Sequence, residues 1–126
     1  LSDGMKATLR NLSAVRAYHW YERREDPEWT AIHPVVCHHP DTGREGLYVT
    51  RMFVSRFDGM TEAESAPLLS HLFDHMERHE FTCRFRWEKH SVAFWDNRSA
   101  QHYAVSDYWP ALRRMERVTI IGDKPV

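Results

Sequence analysis

Three basic residues near the end of the chain have types and spacing that suit one metal and two anions. Arg113 comes eleven residues after His102, Arg117 comes four residues later, and His102 itself ends the segment Trp95-Asp96-Asn97-Arg98-Ser99-Ala100-Gln101-His102. An imidazole is a common ligand of divalent metals. The planar fork of an arginine binds a carboxylate or a sulfonate at two points. The pattern therefore predicts a metal ligand beside two anion-binding side chains.

The alternation of side chains along a strand puts both arginines on one face. In a strand over residues 113–121, Arg113 and Arg117 point the same way and lie about 13 Å apart, at about 3.3 Å per residue. If that face points inward, each guanidinium needs an anion, because an unpaired buried charge is costly. Two alternatives remain from the pattern alone. The arginine face is exposed to solvent, or His102 is a hydrogen-bonded core residue.

The elements that must position these residues are predicted from hydrophobic periodicity. A first helix covers residues 5 to about 19, and a mobile loop covers 21–29. A strand over 32–38 contains Pro34, which favours an edge position or a bulge. It turns through His39 to Gly43 into a returning strand over 46–50, and a short strand follows over 53–57.

The second half of the chain begins with a strong helix signal. Thr61 and Glu64 match a capping box, so a helix should run from there to about residue 78. Its predicted buried residues are Leu68, Leu69, Leu72, Phe73 and Met76. Alternating patterns then predict strands over 81–87, 91–95, 101–105 and 113–121. The fold class is mainly β, mostly antiparallel, with two flanking helices.

Composition excludes several classes of function. The chain has 126 residues, one domain's length, with 17 basic and 18 acidic residues, so nothing indicates a nucleic-acid partner. No apolar run approaches the ~18 residues of a membrane span, and no apolar signal region opens the chain. Cys37 and Cys83 are far apart and in no metal spacing, which favours reduced thiols and a cytoplasmic location.

Two other groups of histidines have metal-like spacing. His71, His75 and His79 fall at i, i+4 and i+8, so they form either a solvated helix face or a zinc site. His39 and Asp41 form a His-x-Asp pair, which supplies two ligands of some iron sites. We expect that pair to lie in a solvent-facing turn, because Pro40 and Gly43 flank it, whereas iron ligands must converge in a pocket.

At this point the chain resembles the taurine dioxygenase / 2,4-dichlorophenoxyacetate dioxygenase family of iron(II)- and 2-oxoglutarate-dependent oxygenases. The resemblance covers nearly the whole chain, and the end of the sequence is especially similar to the taurine branch. The segments that carry it are His33-Pro34-Val35-Val36, His39-Pro40-Asp41-Thr42-Gly43-Arg44, Leu47-Tyr48-Val49, Phe85-Arg86-Trp87, Trp95-Asp96-Asn97-Arg98, Gln101-His102-Tyr103-Ala104, Asp107-Tyr108, Arg113-Arg114-Met115-Glu116-Arg117-Val118-Thr119-Ile120 and Gly122-Asp123-Lys124-Pro125.

The resemblance implies a role for four residues. His102 would be the distal iron ligand, Arg113 would bind the far carboxylate of 2-oxoglutarate, and Arg117 would contact the anionic head of the substrate. Phe53 would line the substrate pocket. The implied fold is the C-terminal part of a double-stranded β-helix, a jelly-roll of the clavaminate-synthase-like type.

The implied reaction is the O₂-dependent hydroxylation of a small anionic substrate such as taurine, with release of succinate and CO₂. An alkyl sulfate ester or an aryloxyalkanoate is the alternative substrate. The family also needs a His-x-Asp pair and a threonine from strands upstream of Leu1. We therefore expect residues 1–126 to be a single partial domain, inactive in isolation. A non-catalytic fragment that binds a partner, or a homo-oligomer, remains open.

Overall fold

The computed structural model describes residues 1–17 and 30–126, so the predicted loop over 21–29 lies outside the described residues. Helix α1, Asp3–Leu9, comes first. Its N-cap is Ser2, whose hydroxyl accepts a hydrogen bond from the Met5 backbone N–H at 3.3 Å, which satisfies one of the free donors of the first turn. Leu9 is fully buried and begins the core.

The first helix is shorter than its apolar spacing predicts. The prediction of a helix to about residue 19 is wrong, because strand β1, Ser13–Ala17, follows the turn after α1. Ala14, Val15 and Ala17 are buried in β1. The strand also pairs with a neighbour on each side. Tertiary pairing therefore overrides the local helical pattern.

Strand β1 is the centre of a three-stranded antiparallel sheet. Its neighbours are β2, Thr30–Pro34, and β5, Val54–Phe57, in the order β2-β1-β5. The pairing with β5 shifts register between Val15 and Arg16. Pro34 ends the edge strand β2, which confirms the predicted edge position, and the predicted strand over 53–57 is confirmed as β5.

A separate two-stranded hairpin carries the predicted turn. Strand β3, Val36–His38, pairs with β4, Glu45–Leu47, in antiparallel register. Gly43 has a φ of 66°, the left-handed conformation that glycine adopts without a steric penalty, and its N–H donates to the His39 carbonyl at 2.8 Å. The predicted hairpin is thus confirmed, with β3 and β2 separated at Val35.

Helix α2, Glu62–Met76, covers the sheet through β5. Thr61 caps it, and the reciprocal bonds to Glu64 confirm the predicted capping box. The five predicted apolar residues all pack in or against the core. The fully or nearly buried members of that core are Leu9, Ala14, Val35, Val49, Val54, Phe57, Leu69, Leu72 and Phe73.

The four strands predicted after α2 do not form. A 3₁₀ helix, His79–Phe81, follows α2, and residues 82–126 contain turns and irregular backbone with no strand pairing among the described residues. Alternation of apolar side chains does not create a strand unless a neighbour satisfies its N–H and C=O groups. Large apolar side chains of this segment stay exposed, including Phe94 at 87%, Trp109 at 86% and Leu112 at 94%.

The described fold is therefore two small antiparallel sheets with two α-helices. No described helix has both the length and the apolar character that crossing a bilayer demands. Cys37 is buried, Cys83 is exposed, and both are free thiols.

Candidate functional site

His102 and the two predicted anion-binding arginines all lie on the surface. The His102 ring packs on Trp95, with 4.9 Å between ring centroids, and the Arg113 guanidinium lies 5.7 Å from the centre of the Tyr108 ring. No hydrogen bond, ion pair or ring contact in the described structure joins His102 to Arg113 or Arg117. The three residues are therefore not brought together by direct contacts in these 126 residues.

The segment that precedes His102 is tied to the hairpin turn by four charged or polar side chains, which we call the Asp96 clamp: His39, Asp41, Asp96 and Arg98. Arg98 Nη2 donates to Asp96 Oδ2 at 2.6 Å and to Asp41 Oδ2 at 3.0 Å. His39 Nε2 lies 3.0 Å from Asp96 Oδ2. The clamp joins two parts of the chain that are 57 residues apart.

The electrostatics of the clamp favour its charged form. Hydrogen bonds from the Arg98 side chain, then from its backbone N–H, and then from His39, hold the pKa of Asp96 well below its ordinary value. The same Asp96 contact raises the pKa of Arg98. The Asp41 backbone N–H donates to His39 Nδ1 at 3.2 Å, which leaves Nε2 as the protonated nitrogen that donates to Asp96. At neutral pH the clamp is therefore a satisfied ionic network.

A second anchor lies directly beside the predicted metal ligand. The Gln101 amide donates to the carbonyl of buried Val49 at 2.8 Å and lies 3.8 Å from Met76 Sδ. The side chain of the residue before His102 is thus held against Val49 and the C-terminal end of α2. This role of Gln101 is not predictable from the sequence, since a glutamine beside a histidine carries no local signal of a long-range backbone contact.

Phe53 lies in a different environment from the other predicted site residues. Its ring is half-buried at the start of β5 and lies 4.8 Å from the Arg16 guanidinium carbon. Arg16 also lies 5.0 Å from the centre of the Tyr48 ring. No described contact joins Phe53 to His102 or Arg117. The described structure therefore does not bring Phe53 into one pocket with them, and its role in substrate binding stays a prediction.

The other candidate metal ligands from the sequence make contacts of a different kind. His39 and Asp41 are occupied by the Asp96 clamp. The predicted row of three helical histidines is wrong, because α2 ends at Met76 and His79 starts the 3₁₀ helix. The His75 ring instead packs on Phe81, with 5.3 Å between ring centroids.

The described residues do not by themselves fit an iron ion. Within residues 1–17 and 30–126, no three His, Cys, Asp or Glu side chains come together as a potential metal site. A facial iron site needs two histidines and a carboxylate. His102 would be one ligand of such a set, and the described chain supplies no partners for it.

Comparison with known proteins decides the family. Residues 1–119 match the family of taurine catabolism dioxygenases, the TauD, TfdA family. The chain belongs to this family. The resemblance carried by the sequence motifs is thereby confirmed over almost the whole chain.

Curated relatives in the TauD, TfdA family have names that describe related reactions. An α-ketoglutarate-dependent sulfate ester dioxygenase of Pseudomonas putida is 47% identical over 94 residues, which are 75% of this chain and 31% of that protein. An α-ketoglutarate-dependent sulfonate dioxygenase of Saccharomyces cerevisiae is 40% identical over 99 residues, 77% of this chain and 24% of that protein. The matched part of the chain therefore spans only 24% to 31% of the length of these two relatives.

A solved structure of the family shares the fold over 70% of this chain. The taurine dioxygenase from Burkholderia xenovorans superposes with a TM-score of 0.60 at 36% identity, covering 70% of this chain and 30% of that structure. Over that share of the chain, the described fold is thus TauD-like.

Proposed function

We propose that this chain carries one iron-binding histidine and two anion-binding arginines of an iron(II)- and 2-oxoglutarate-dependent dioxygenase. His102 serves as the metal ligand, Arg113 binds 2-oxoglutarate, and Arg117 binds the anionic head of the substrate near Phe53. The observation that carries the proposal is the family match over residues 1–119. Residues 82–126 pair with no strand of the described chain, which fits the C-terminal part of a double-stranded β-helix.

The anchoring of residues 96–101 supports the role of His102. A metal ligand must be held close to one geometry, and supporting hydrogen bonds around it provide that restraint. The Asp96 clamp and the Gln101–Val49 bond restrain the segment from two sides. The remaining ligands of the iron would come from outside the described residues, and no step of the reaction is assigned to this chain alone.

The substrate class is a small organic sulfonate such as taurine, oxidised with O₂ and yielding succinate and CO₂ from the cosubstrate. An alkyl sulfate ester is the second candidate, favoured by the 47% identical sulfate ester dioxygenase of Pseudomonas putida. Both have an oxyanion head that a guanidinium fork suits, and Arg117 does not distinguish them. The free thiols of Cys37 and Cys83 accord with a cytoplasmic enzyme.

The test compares arginine variants in a complete protein that contains this chain. Arg113→Ala should raise the 2-oxoglutarate concentration needed for half-maximal turnover by about 10- to 100-fold, the loss expected for a charge-assisted pair. Arg117→Ala should raise the KM for the sulfonate or sulfate ester and leave the 2-oxoglutarate requirement unchanged. Arg114→Ala is the matched control, since its side chain pairs with Glu116 at 3.3 Å.

An unchanged 2-oxoglutarate requirement in Arg113→Ala would refute the assignment of that residue. Anaerobic titration of the 126-residue chain with iron(II) and 2-oxoglutarate tests the competing idea of a non-catalytic fragment. We expect no visible metal-to-ligand charge-transfer band from the chain alone, because His102 is its single proposed ligand. A band of full intensity would show that these residues suffice to hold the metal.

A further inference from the structure

Two histidines of α2 lie one helical turn apart. His71 and His75 are separated by four positions, and both fall inside the helix, Glu62–Met76. Residues at this spacing are neighbours on a helix surface, with about 5–6 Å between their Cβ atoms. A helical side chain leans toward the N-terminus, so His75 leans toward the turn that carries His71. The helix therefore presents two imidazoles side by side.

Both imidazoles have free nitrogen atoms. His71 is exposed and His75 is half-buried. In the described part of the chain, neither ring has a hydrogen-bond or ion-pair partner. The His75 ring packs against Phe81, with 5.3 Å between ring centroids and 65° between the ring planes, and this contact limits its rotation. The pair is thus open to a ligand, and one of its rings is already held in place.

The protonation state of His75 suits a metal ligand. Burial lowers its pKa. The positive charges of the Leu1 ammonium and Arg78 lower the pKa further, and so does His71 when it is protonated. Glu80 acts in the opposite direction and offsets part of this positive charge. An imidazole binds a metal in its neutral form, so at neutral pH His75 is ready to act as a ligand.

We propose that His71 and His75 form a two-imidazole site for a divalent transition-metal cation such as Zn²⁺. Imidazole suits Zn²⁺, Cu²⁺ and Ni²⁺, and two histidines at i, i+4 on one helix face bind a single ion together. Water completes the coordination, because no third His, Cys, Asp or Glu joins the pair within residues 1–17 and 30–126. The site has no described contact with His102, and it requires neither iron nor 2-oxoglutarate.

A bound ion links two neighbouring turns near the C-terminal end of α2. The end of a helix opens readily, because its last carbonyl groups have no partner inside the helix. A bridge from His71 to His75 opposes that opening, and a ligand that binds only the native state stabilises it. The expected effect is therefore greatest in the last turn of α2.

The experiment titrates the 126-residue chain with zinc chloride and, separately, with magnesium chloride. We expect Zn²⁺ to shift the ring resonances of His71 and His75 in a saturable way and to slow hydrogen exchange in the last turn of α2. Mg²⁺ prefers oxygen ligands and should do neither. Zinc that leaves both rings unchanged, or a response to Mg²⁺ equal to that to Zn²⁺, would overturn the proposal.

Single variants measure the contribution of each ring. His71→Gln and His75→Gln should each weaken zinc binding by about tenfold or more, since even outer-shell partners of a metal site contribute about 10–100-fold. His71 is exposed, so His71→Gln serves if the change at half-buried His75 prevents folding. Parent-like affinity in His71→Gln would show that the pair does not bind the ion.

An exchange of two neighbouring residues tests the spacing itself. Ser70→His/His71→Ser keeps the number of histidines and changes only an exposed part of α2. It replaces the i, i+4 spacing to His75 with i, i+5, which takes one imidazole off the shared face. Zinc affinity should fall as far as in His71→Gln. Parent-like affinity in the exchanged chain would overturn the proposal.

Two histidines outside α2 serve as controls. His90→Gln changes an exposed residue and should bind zinc like the parent chain. His102→Ala should do the same, because the proposed iron ligand is not part of the pair. Loss of zinc binding in either control, with His71→Gln unaffected, would assign the ion to another site and refute the proposal. Since the titration uses neither iron nor 2-oxoglutarate, its failure leaves the proposed function untouched.

Discussion

Single residues of this chain derive their roles from partners that are far away in sequence. Gln101 supports the segment of the predicted iron ligand through a carbonyl 52 residues earlier. His39, which has the spacing of a metal ligand, instead donates to Asp96. Residue type and spacing were enough to single out His102, Arg113 and Arg117 as candidates. They could not reveal which neighbours hold the surrounding backbone.

His33 should make stability depend on pH in a defined direction. Its lowered pKa means that the folded state favours the neutral imidazole. Stability is then complete above the unfolded pKa, near 6.5, and falls as pH drops from there through the lowered folded value. His33→Phe keeps an aromatic ring on Tyr48 and removes the proton, so its stability should fall less between pH 7 and pH 5. Urea unfolding at several pH values measures the difference.

The control for His33 is a histidine that lies exposed on α2. His71→Phe should leave the pH dependence of the parent chain in place. If both variants flatten the curve equally, the effect comes from general charge and not from the half-buried His33 ring.

Elements with strong local signals formed where the sequence predicted them. The capping box of α2 and the glycine turn between β3 and β4 depend on residues within a few positions of one another. Two predictions were wrong: the second half of the first helix, and the four strands after α2. Both failed because strand formation depends on partners that are distant in sequence. Ser65 was also missed: a serine in an amphipathic helix gives no sign that it binds a neighbouring strand.

Ser65 should be a strong contributor to the packing of α2 on β5. It is fully buried, and its hydroxyl accepts a hydrogen bond from the Phe57 backbone N–H at 3.0 Å. Ser65→Ala leaves that N–H buried and unsatisfied, at a cost of about 1–3 kcal/mol. Chemical denaturation gives the change in the free energy of unfolding. The matched control Ser70→Ala lies exposed on the same helix and should change stability by less than about 0.5 kcal/mol. Equal effects of the two changes would contradict a specific bond to β5.

At the scale of the whole molecule, an ordered core of two sheets and α2 carries a C-terminal segment with few buried side chains. The Asp96 clamp, the Gln101–Val49 bond and the hydrogen bond from the His38 N–H to the Val126 carbonyl connect the two parts. Because most apolar groups of residues 82–126 remain exposed, these polar contacts and not core burial determine where the segment lies.

Breaking the clamp should release the C-terminal segment locally and leave the core intact. In Arg98→Gln, we expect the Ala100 amide, which donates to the Asp96 carbonyl at 2.9 Å, to exchange its hydrogen about tenfold faster. Amides in the middle of α2 should keep their protection. Arg114→Gln removes an exposed contact to Glu116 and is the matched control. A uniform rise over the whole chain would show that the clamp contributes to global stability instead.

Acid should weaken the clamp only at low pH. The pKa of Asp96 is depressed in the folded state, so its contribution is complete above the unfolded value near 3.8 and is lost as pH falls through the lower folded value. Local exchange at Ala100 should therefore stay constant from pH 7 to about pH 4, after correction for the intrinsic rate.

The sequence by itself determined the family, the candidate residues and the elements whose signals are local. The family follows from the spacing of motifs along the chain. Caps and turns follow from the sequence because they are formed by neighbouring residues. Only the tertiary structure decided that Arg16 contacts both Tyr48 and Phe53, and that Arg98 joins Asp96 to Asp41. It also decided that residues 82–126 pair with no strand of the described chain. The physical reason is the same in each case: ring stacking, ion pairing and strand pairing join residues far apart in the chain, and a linear pattern does not specify which ones meet.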